Sequence, residues 1–156
     1  MPARELIESF LPSRERAEEL CRCFLNHLSW MFQIVTYQQL TESLMPPLYL
    51  QAHTSGADIP EGGPHDLALL LIVFAVGALV DLSLPPYNIE AQRYHVLARA
   101  ALALEPFMEK ASINTIKVLH LISLFNGMSG KESNLANTYT ILNLAGRVAQ
   151  RVSVYA

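Results

Sequence analysis

Charge is scarce in this chain. Asp, Glu, Lys and Arg make up 16% of its 156 residues, against about 25% in an ordinary soluble domain. The basic residues are scattered single arginines and three lysines, and the net charge is −3. Nucleic-acid binders carry a basic face or stripe, so direct binding to DNA or RNA by this chain is not expected. Cysteine is almost absent. Cys21 and Cys23 stand two apart, and on a helix such residues point to nearly opposite faces. They neither bridge each other nor chelate one ion, and a reducing intracellular compartment is inferred. Residues 1–12 hold no basic stretch leading into an apolar one, so no secretory signal is read there.

Catalytic signatures are missing as well. The sequence holds no G-x-S-x-G, no P-loop and no G-x-G-x-x-G. The histidines are at 27, 53, 65, 95 and 120, and no spacing of metal-site type joins them to each other or to a glutamate. His27 and His120 sit among apolar neighbours on helices and read as hydrogen-bonded core or boundary residues. His53 and His65 flank a flexible segment, a poor place to hold a ligand geometry. Asp, Glu and His are too dispersed to nominate a general acid and base. The expectation is a non-enzyme with no catalytic, cofactor-binding or metal-ligating residue.

What the chain has is apolar length. Hydrophobic residues make up 51% of it, and Leu67–Val80 reads LALLLIVFAVGALV between Asp66 and Asp81. Fourteen such residues exceed an ordinary strand, yet as a helix they cover only about 21 Å at about 1.5 Å per residue. A membrane span needs about 20 residues to cross some 30 Å. Pro64, His65 and Asp66 supply a helix start, and Pro85-Pro86 forbids continuation. The run therefore predicts a helix over 65–83, apolar all round, at the centre of a packed helical domain. It has no basic polar face, which argues against lying on a membrane surface.

The other elements follow from periodicity and capping. Residues 1–12 read as a lead-in. Ser13 caps a helix to about Phe32 that buries Ala17, Leu20, Phe24, Leu28, Met31 and Phe32 and keeps Arg14, Glu15, Glu18 and Arg22 mostly wet. Trp30 falls off that stripe. Thr36 and Gln39 fit a capping box for a short helix over 37–45 that buries Leu40 and Leu44. Leu48-Tyr49-Leu50 suits one further turn. Residues 51–64, with Gly56, Pro60, Gly62, Gly63 and Pro64, read as a mobile surface loop. Asn88 caps a helix over 89–104 with Ala91, Tyr94, Ala98, Ala101 and Leu102 on one face. Ser112 caps 113–125, apolar on most sides, with Ile113, Ile116, His120 and Leu124 along one of them. Asn126-Gly127 is a stop signal, and 127–133 a polar loop. Ser133 caps 134–152, where Leu135, Tyr139, Leu142, Gly146, Ala149 and Val152 share a stripe. No strand pattern competes. The fold class is all-α: one domain over 1–156, an irregular array of about six helices around the buried 67–80 run.

Asp81 lies at the C-terminal end of the central helix, where the macrodipole disfavours an anion. Compensation is expected from Arg93, if 65–83 and 89–104 pair antiparallel about the Pro-Pro turn, or from backbone amides of the loop. An Asp81–Arg93 ion pair is the single structural site read from the sequence.

Several blocks in order carry a family resemblance. They are the Gly77-Ala78-Leu79-Val80-Asp81-Leu82 ending, then Glu90-Ala91, Tyr94 and Ala98-Arg99-Ala100-Ala101-Leu102. After a gap come Ser112-Ile113, Ile116 with Leu119-His120-Leu121, and Ala145-Gly146-Arg147-Val148-Ala149-Gln150. Leu11-Pro12, Ala17, Leu20, Trp30-Met31-Phe32 and Leu48-Tyr49 precede them. From about residue 11 the chain resembles the fungal-specific transcription factor domain, the helical regulatory region of fungal zinc-cluster regulators. The resemblance implies a non-catalytic regulatory or interaction domain located in the nucleus. Zinc is expected only in the family's six-cysteine DNA-reading cluster, which two cysteines cannot build. The family pattern also continues past the last helix, so the chain reads as a fragment or truncated relative. Its partners would be proteins: a second copy, or the missing C-terminal half. Apolar surface near 113–125 and 134–155 is then expected to lie bare. The alternative reading is a helical small-molecule effector sensor.

Overall fold

The computed structural model describes residues 3–28, 34–49, 63–86, 88–106, 109–128 and 134–155. Its helices are α1 (Ala3–Glu8), α2 (Arg14–Leu28), α3 (Pro46–Tyr49), α4 (Pro64–Leu79), α5 (Ile89–Ala103), α6 (Ile113–Met128) and α7 (Asn134–Tyr155). A π-helical segment, Gln39–Leu44, precedes α3. No strand occurs among the described residues. Trp30, Met31 and Phe32, the loop over 51–62 with His53, the Ser133 cap and the packing of Leu135 lie outside what is described.

Helix α4 is the centre. Its apolar side chains from Leu67 to Ala78 are each at most 2% exposed, because α2, α5 and α6 all pack against it. A helix with no polar face has no side to turn to water, so its neighbours must cover every side. The approach to α2 is tight at Gly77. A Cβ at Gly77 would fall inside the radius of the Leu20 carbonyl oxygen and lie 3.1 Å from the carbonyl carbon. Glycine there lets the two backbones meet. On α5 the approach is made by Ala91, Ala98 and Ala101, all fully buried, with Tyr94 set edge-on to Phe74 at 5.7 Å between ring centres.

The expected caps at Ser13 and Asn88 are in place. Ser13 Oγ accepts from the Arg16 amide at 3.3 Å, and Asn88 Oδ1 from the Ala91 amide at 2.8 Å. Asp66 closes α4 by accepting from the Gly63 amide at 3.2 Å. Four features differ from the expectation, some for local reasons and some through packing. Helix α4 stops at Leu79 rather than 83, because Asp81 accepts from the Ser83 amide at 3.0 Å and holds a turn there. Helix α6 runs through Asn126-Gly127 to Met128. Asn126 is buried, and packing overrides a weak stop signal. The lead-in is itself helical: α1 packs on α5, with Ile7 buried.

The fourth difference is the segment expected as an α-helix over 37–45. Thr36 Oγ1 does accept from the Gln39 amide at 3.1 Å. The Gln39 side chain, however, does not turn back to complete the box. It reaches α6, and the helix widens so that the Met45 amide donates to Leu40 five residues back at 3.0 Å. Leu40 and Leu44 are both buried, as their spacing suggested.

Helix α6 is more fully covered than its composition suggested. Helix α4 lies on one side and α7 on another, and Val118, Leu119, Leu121, Ile122 and Phe125 are buried between them. Ile113 remains exposed, and Ile116, His120 and Leu124 are half-buried. The bare surface expected over 113–125 is thus narrow.

Two substitutions test the centre. Gly77→Ala should destabilise by about 1–3 kcal/mol through overpacking, although alanine is the better helix former by about 1 kcal/mol. Val73→Asp should cost several kcal/mol by burying an unpaired charge. Chemical denaturation measures both. A stabilised Gly77→Ala variant would mean that α2 does not approach α4 as described.

Candidate functional site

A groove of about 500 Å³ opens between α2 and the π-helical segment. Arg14, Glu18, Arg22 and Asn26 fall four apart and form its rim along one face of α2. Cys21 and Leu25 lie beside them. Tyr37, Leu40, Thr41, Met45, Pro46 and Tyr49 line the opposite side. Tyr49 donates its hydroxyl to the Pro12 carbonyl at 2.9 Å, so its polar end is already engaged. The Cys21 and Met45 sulfurs lie 4.0 Å apart. Burial, with Glu18 a smaller cause, pushes the Cys21 thiol up to about 12. A thiol so rarely ionised is a wall of the groove and not a nucleophile.

At the rim, Arg14 donates to Glu18 at 3.1 Å. Arg22 makes no hydrogen bond or ion pair among the described residues. Among the described residues the groove therefore combines an apolar interior with one uncompensated cation at its edge.

A second cleft of about 480 Å³ lies between the start of α4 and the start of α6, lined by Gly63, His65, Asp66, Glu105, Lys110, Ser112, Ile113 and Asn114. Its polar groups are mostly used up. His65 Nε2 lies 3.0 Å from the Glu105 carbonyl, which can only accept, so this nitrogen carries the proton. Nδ1 then accepts from the Thr115 hydroxyl at 2.6 Å. Thr115 Oγ1 in turn accepts from the Ser112 amide at 3.0 Å, and Ser112 Oγ from the Thr115 amide at 3.3 Å. His65, expected to flank a flexible segment and to be poorly placed for holding a geometry, is thus held at both ring nitrogens.

A polar chain continues from there. Asp66 accepts from Asn114 at 2.7 Å, Asn114 from Gln39 at 2.9 Å, and Gln39 from Lys117 at 2.8 Å. Partial burial lowers the Lys117 pKa. This chain ties the π-helical segment to α6 and to the start of α4.

The expected Asp81–Arg93 pair does not form. Asp81 Oδ1 accepts from the Ser83 hydroxyl at 2.7 Å and from the Ser83 amide at 3.0 Å, and these bonds hold its carboxyl below the usual range. The loop amide, the alternative donor, is the one supplied, and Arg93 is exposed on α5. Arg16, and less so His27, add smaller influences on Asp81. Arg16 is the residue that sequence reasoning missed. It grips Glu90 with two bonds of 2.9 and 2.8 Å and adds Glu19 at 2.9 Å. Spacing gave no signal for it, because Glu90 stands 74 positions away.

His95 was also missed. Its ring stacks on Phe125 of α6 at 4.3 Å, and its Nε2 is buried without a hydrogen-bond partner among the described residues. Burial, with Arg99 a smaller cause, lowers its pKa from 6.5 to about 4. No group of three or more His, Cys, Asp or Glu suited to a metal occurs among the described residues, and no described helix is long and apolar enough to cross a membrane.

His95 makes stability pH-dependent. The unfolded imidazole takes up its proton as pH falls through about 6.5, while the folded one resists until about 4. The unfolded state binds more protons in that window, so stability should fall as pH drops through it. Thermal midpoints at pH 7 and pH 5 measure the slope, and His95→Gln should flatten it. An equal slope in the variant would mean that His95 titrates normally. Compared with known proteins, the chain matches no family model, no curated protein and no solved structure.

Proposed function

We propose that the chain is a non-catalytic regulatory and interaction domain of a fungal transcription regulator, acting in the nucleus through protein partners. The observation that carries the interaction part is the outward stripe of α7. This helix packs on α6 with Ala145 and Val148 buried and Ile141, Leu144 and Val152 half-buried. Its other side presents Tyr139 at 73% and Leu142 at 43% exposure, then Gly146, whose Cβ would meet nothing within 4 Å. A glycine inside a helix costs about 0.5–1 kcal/mol relative to alanine. On a bare face that cost has no local return, whereas a small residue beside two apolar anchors suits a helix docking from outside.

The family part rests on the resemblance, whose blocks coincide with the packing contacts. Gly77 meets Leu20, Ala91, Tyr94 and Ala98 face α4, and Ala145 and Val148 face α6. DNA reading is assigned to a partner or to another segment, since no basic stripe is present in the sequence. A second reading, effector sensing, is favoured by the groove beside α2, whose size suits a small molecule.

Sedimentation of the purified chain tests the interaction. One helix stripe falls short of the roughly 1,200–2,000 Å² that tight interfaces bury, so association should be weak and concentration-dependent. Tyr139→Asp with Leu142→Asp should abolish it and leave the thermal midpoint unchanged. Gly146→Ala should raise monomer stability by about 0.5–1 kcal/mol while weakening association. A wild-type chain that stays monomeric at high concentration and captures no partner through α7 would remove the basis of the proposal.

A further inference from the structure

We propose that the groove between α2 and the π-helical segment binds a small amphipathic monocarboxylate, its apolar body lying along Leu25, Leu40 and Met45 and its carboxylate meeting Arg22. This rests on the effector-sensing reading and is independent of partner binding through α7.

Three observations converge on that ligand class. The volume, about 500 Å³, falls in the range of small-molecule sites, which are mostly apolar with a few placed polar groups. The walls supply the apolar part. Leu40 and Met45 come from one side and Leu25 from the other. The paired sulfurs of Cys21 and Met45 form a soft wall that adapts to an alkyl or aryl shape.

The rim supplies the charge. Along α2 it reads Arg14, Glu18, Arg22, and the first two satisfy each other at 3.1 Å. Arg22 is left to offer its guanidinium, which matches a carboxylate with two parallel bonds. Among the described residues one free cation lines the rim, so one carboxylate is matched and a second would face Glu18. A neutral ligand would leave Arg22 unused.

The wall is also unusual in its backbone. π-Helical turns recur at functional sites, and here Leu40 and Thr41 of such a turn line the groove while the Leu40 carbonyl accepts the five-residue bond. The widened turn places both residues on the groove side of an element whose Gln39 is fastened to α6.

The test is calorimetric titration of the full chain with decanoate, and with decanol as the neutral match. Decanoate should bind saturably at one site, and decanol about tenfold or more weaker. Arg22 is exposed, so Arg22→Ala should fold as wild type by circular dichroism and lose about tenfold in decanoate affinity. Its affinity for decanol should be unchanged. Arg22→Lys should fall between, keeping the charge but not the paired bonds. Thr41→Trp, at an exposed position lining the groove, should fill it and abolish saturable binding. Decanoate binding unaffected by Arg22→Ala or by Thr41→Trp would overturn the proposal. Saturable decanol binding that equals decanoate would overturn the acid class while leaving effector sensing standing. Binding of neither would remove both, and sedimentation through α7 would be untouched by any of these results.

Discussion

Everything in this fold follows from a helix that has no polar side. In α4 the residues from Leu67 to Ala78 are sealed from water, and burying each large apolar side chain is worth about 1.5–3 kcal/mol. A handful of them therefore equals the whole net stability of an ordinary domain, about 5–15 kcal/mol. No arrangement that left one flank of α4 open would retain that margin. Three helices are accordingly drawn against it, and their contact residues are chosen for approach: Gly77 under Leu20, and alanines along α5. Helix α7 takes no large part in this enclosure and covers α6 instead.

Charge is sparse, and it is used at joints. Arg16 gathers Glu19 and Glu90, joining α2 to the first turn of α5. Desolvation opposes its charge, but the Glu90 bonds outweigh that and raise its pKa. His65 joins α4 to α6 through Thr115 at one ring nitrogen, and to the segment after α5 through the Glu105 carbonyl at the other. The chain from Lys117 through Gln39 and Asn114 to Asp66 joins three elements. Apart from the Arg16–Glu19 bond within α2, each of these pairs residues from opposite sides of a long stretch of sequence. They fix the directions in which apolar helices, free to slide on their greasy faces, finally sit.

That distinction explains what was legible from sequence. The all-α class, the central helix, the caps at Ser13 and Asn88 and the buried face of α5 depend on spacing within a dozen residues, and periodicity reports spacing. The Ala91, Tyr94, Ala98, Ala101, Leu102 face is buried as its pattern implied. The π-helical turn was not legible: it goes with Gln39 reaching Asn114, 75 positions away, a contact that spacing does not report. The Asp81 environment was half legible. A need for compensation followed from the helix dipole, but the donor was chosen by a turn two residues long. His95 gave no signal at all, since stacking on Phe125 is a contact between helices. The groove combines both cases: its α2 rim is a four-residue repeat visible in sequence, while Leu40 and Thr41 of its far wall are presented by the π turn.

The two candidate surfaces hang on the same polar chain. The groove is walled by the π-helical segment, and that segment is fastened by Gln39 to Asn114 and Lys117 of α6. Helix α6 is also the support on which α7 rests with its outward stripe of Tyr139 and Leu142. Apolar contacts alone would let these pieces settle in several similar ways, because dispersion and burial have little directional preference. Hydrogen bonds of 2.7–2.9 Å between amides, a carboxylate and an ammonium permit few alternatives. The buried helix thus supplies the energy of the fold. The chain from Asp66 to Lys117 supplies its register, and it does so at the element where the groove and the support of α7 meet.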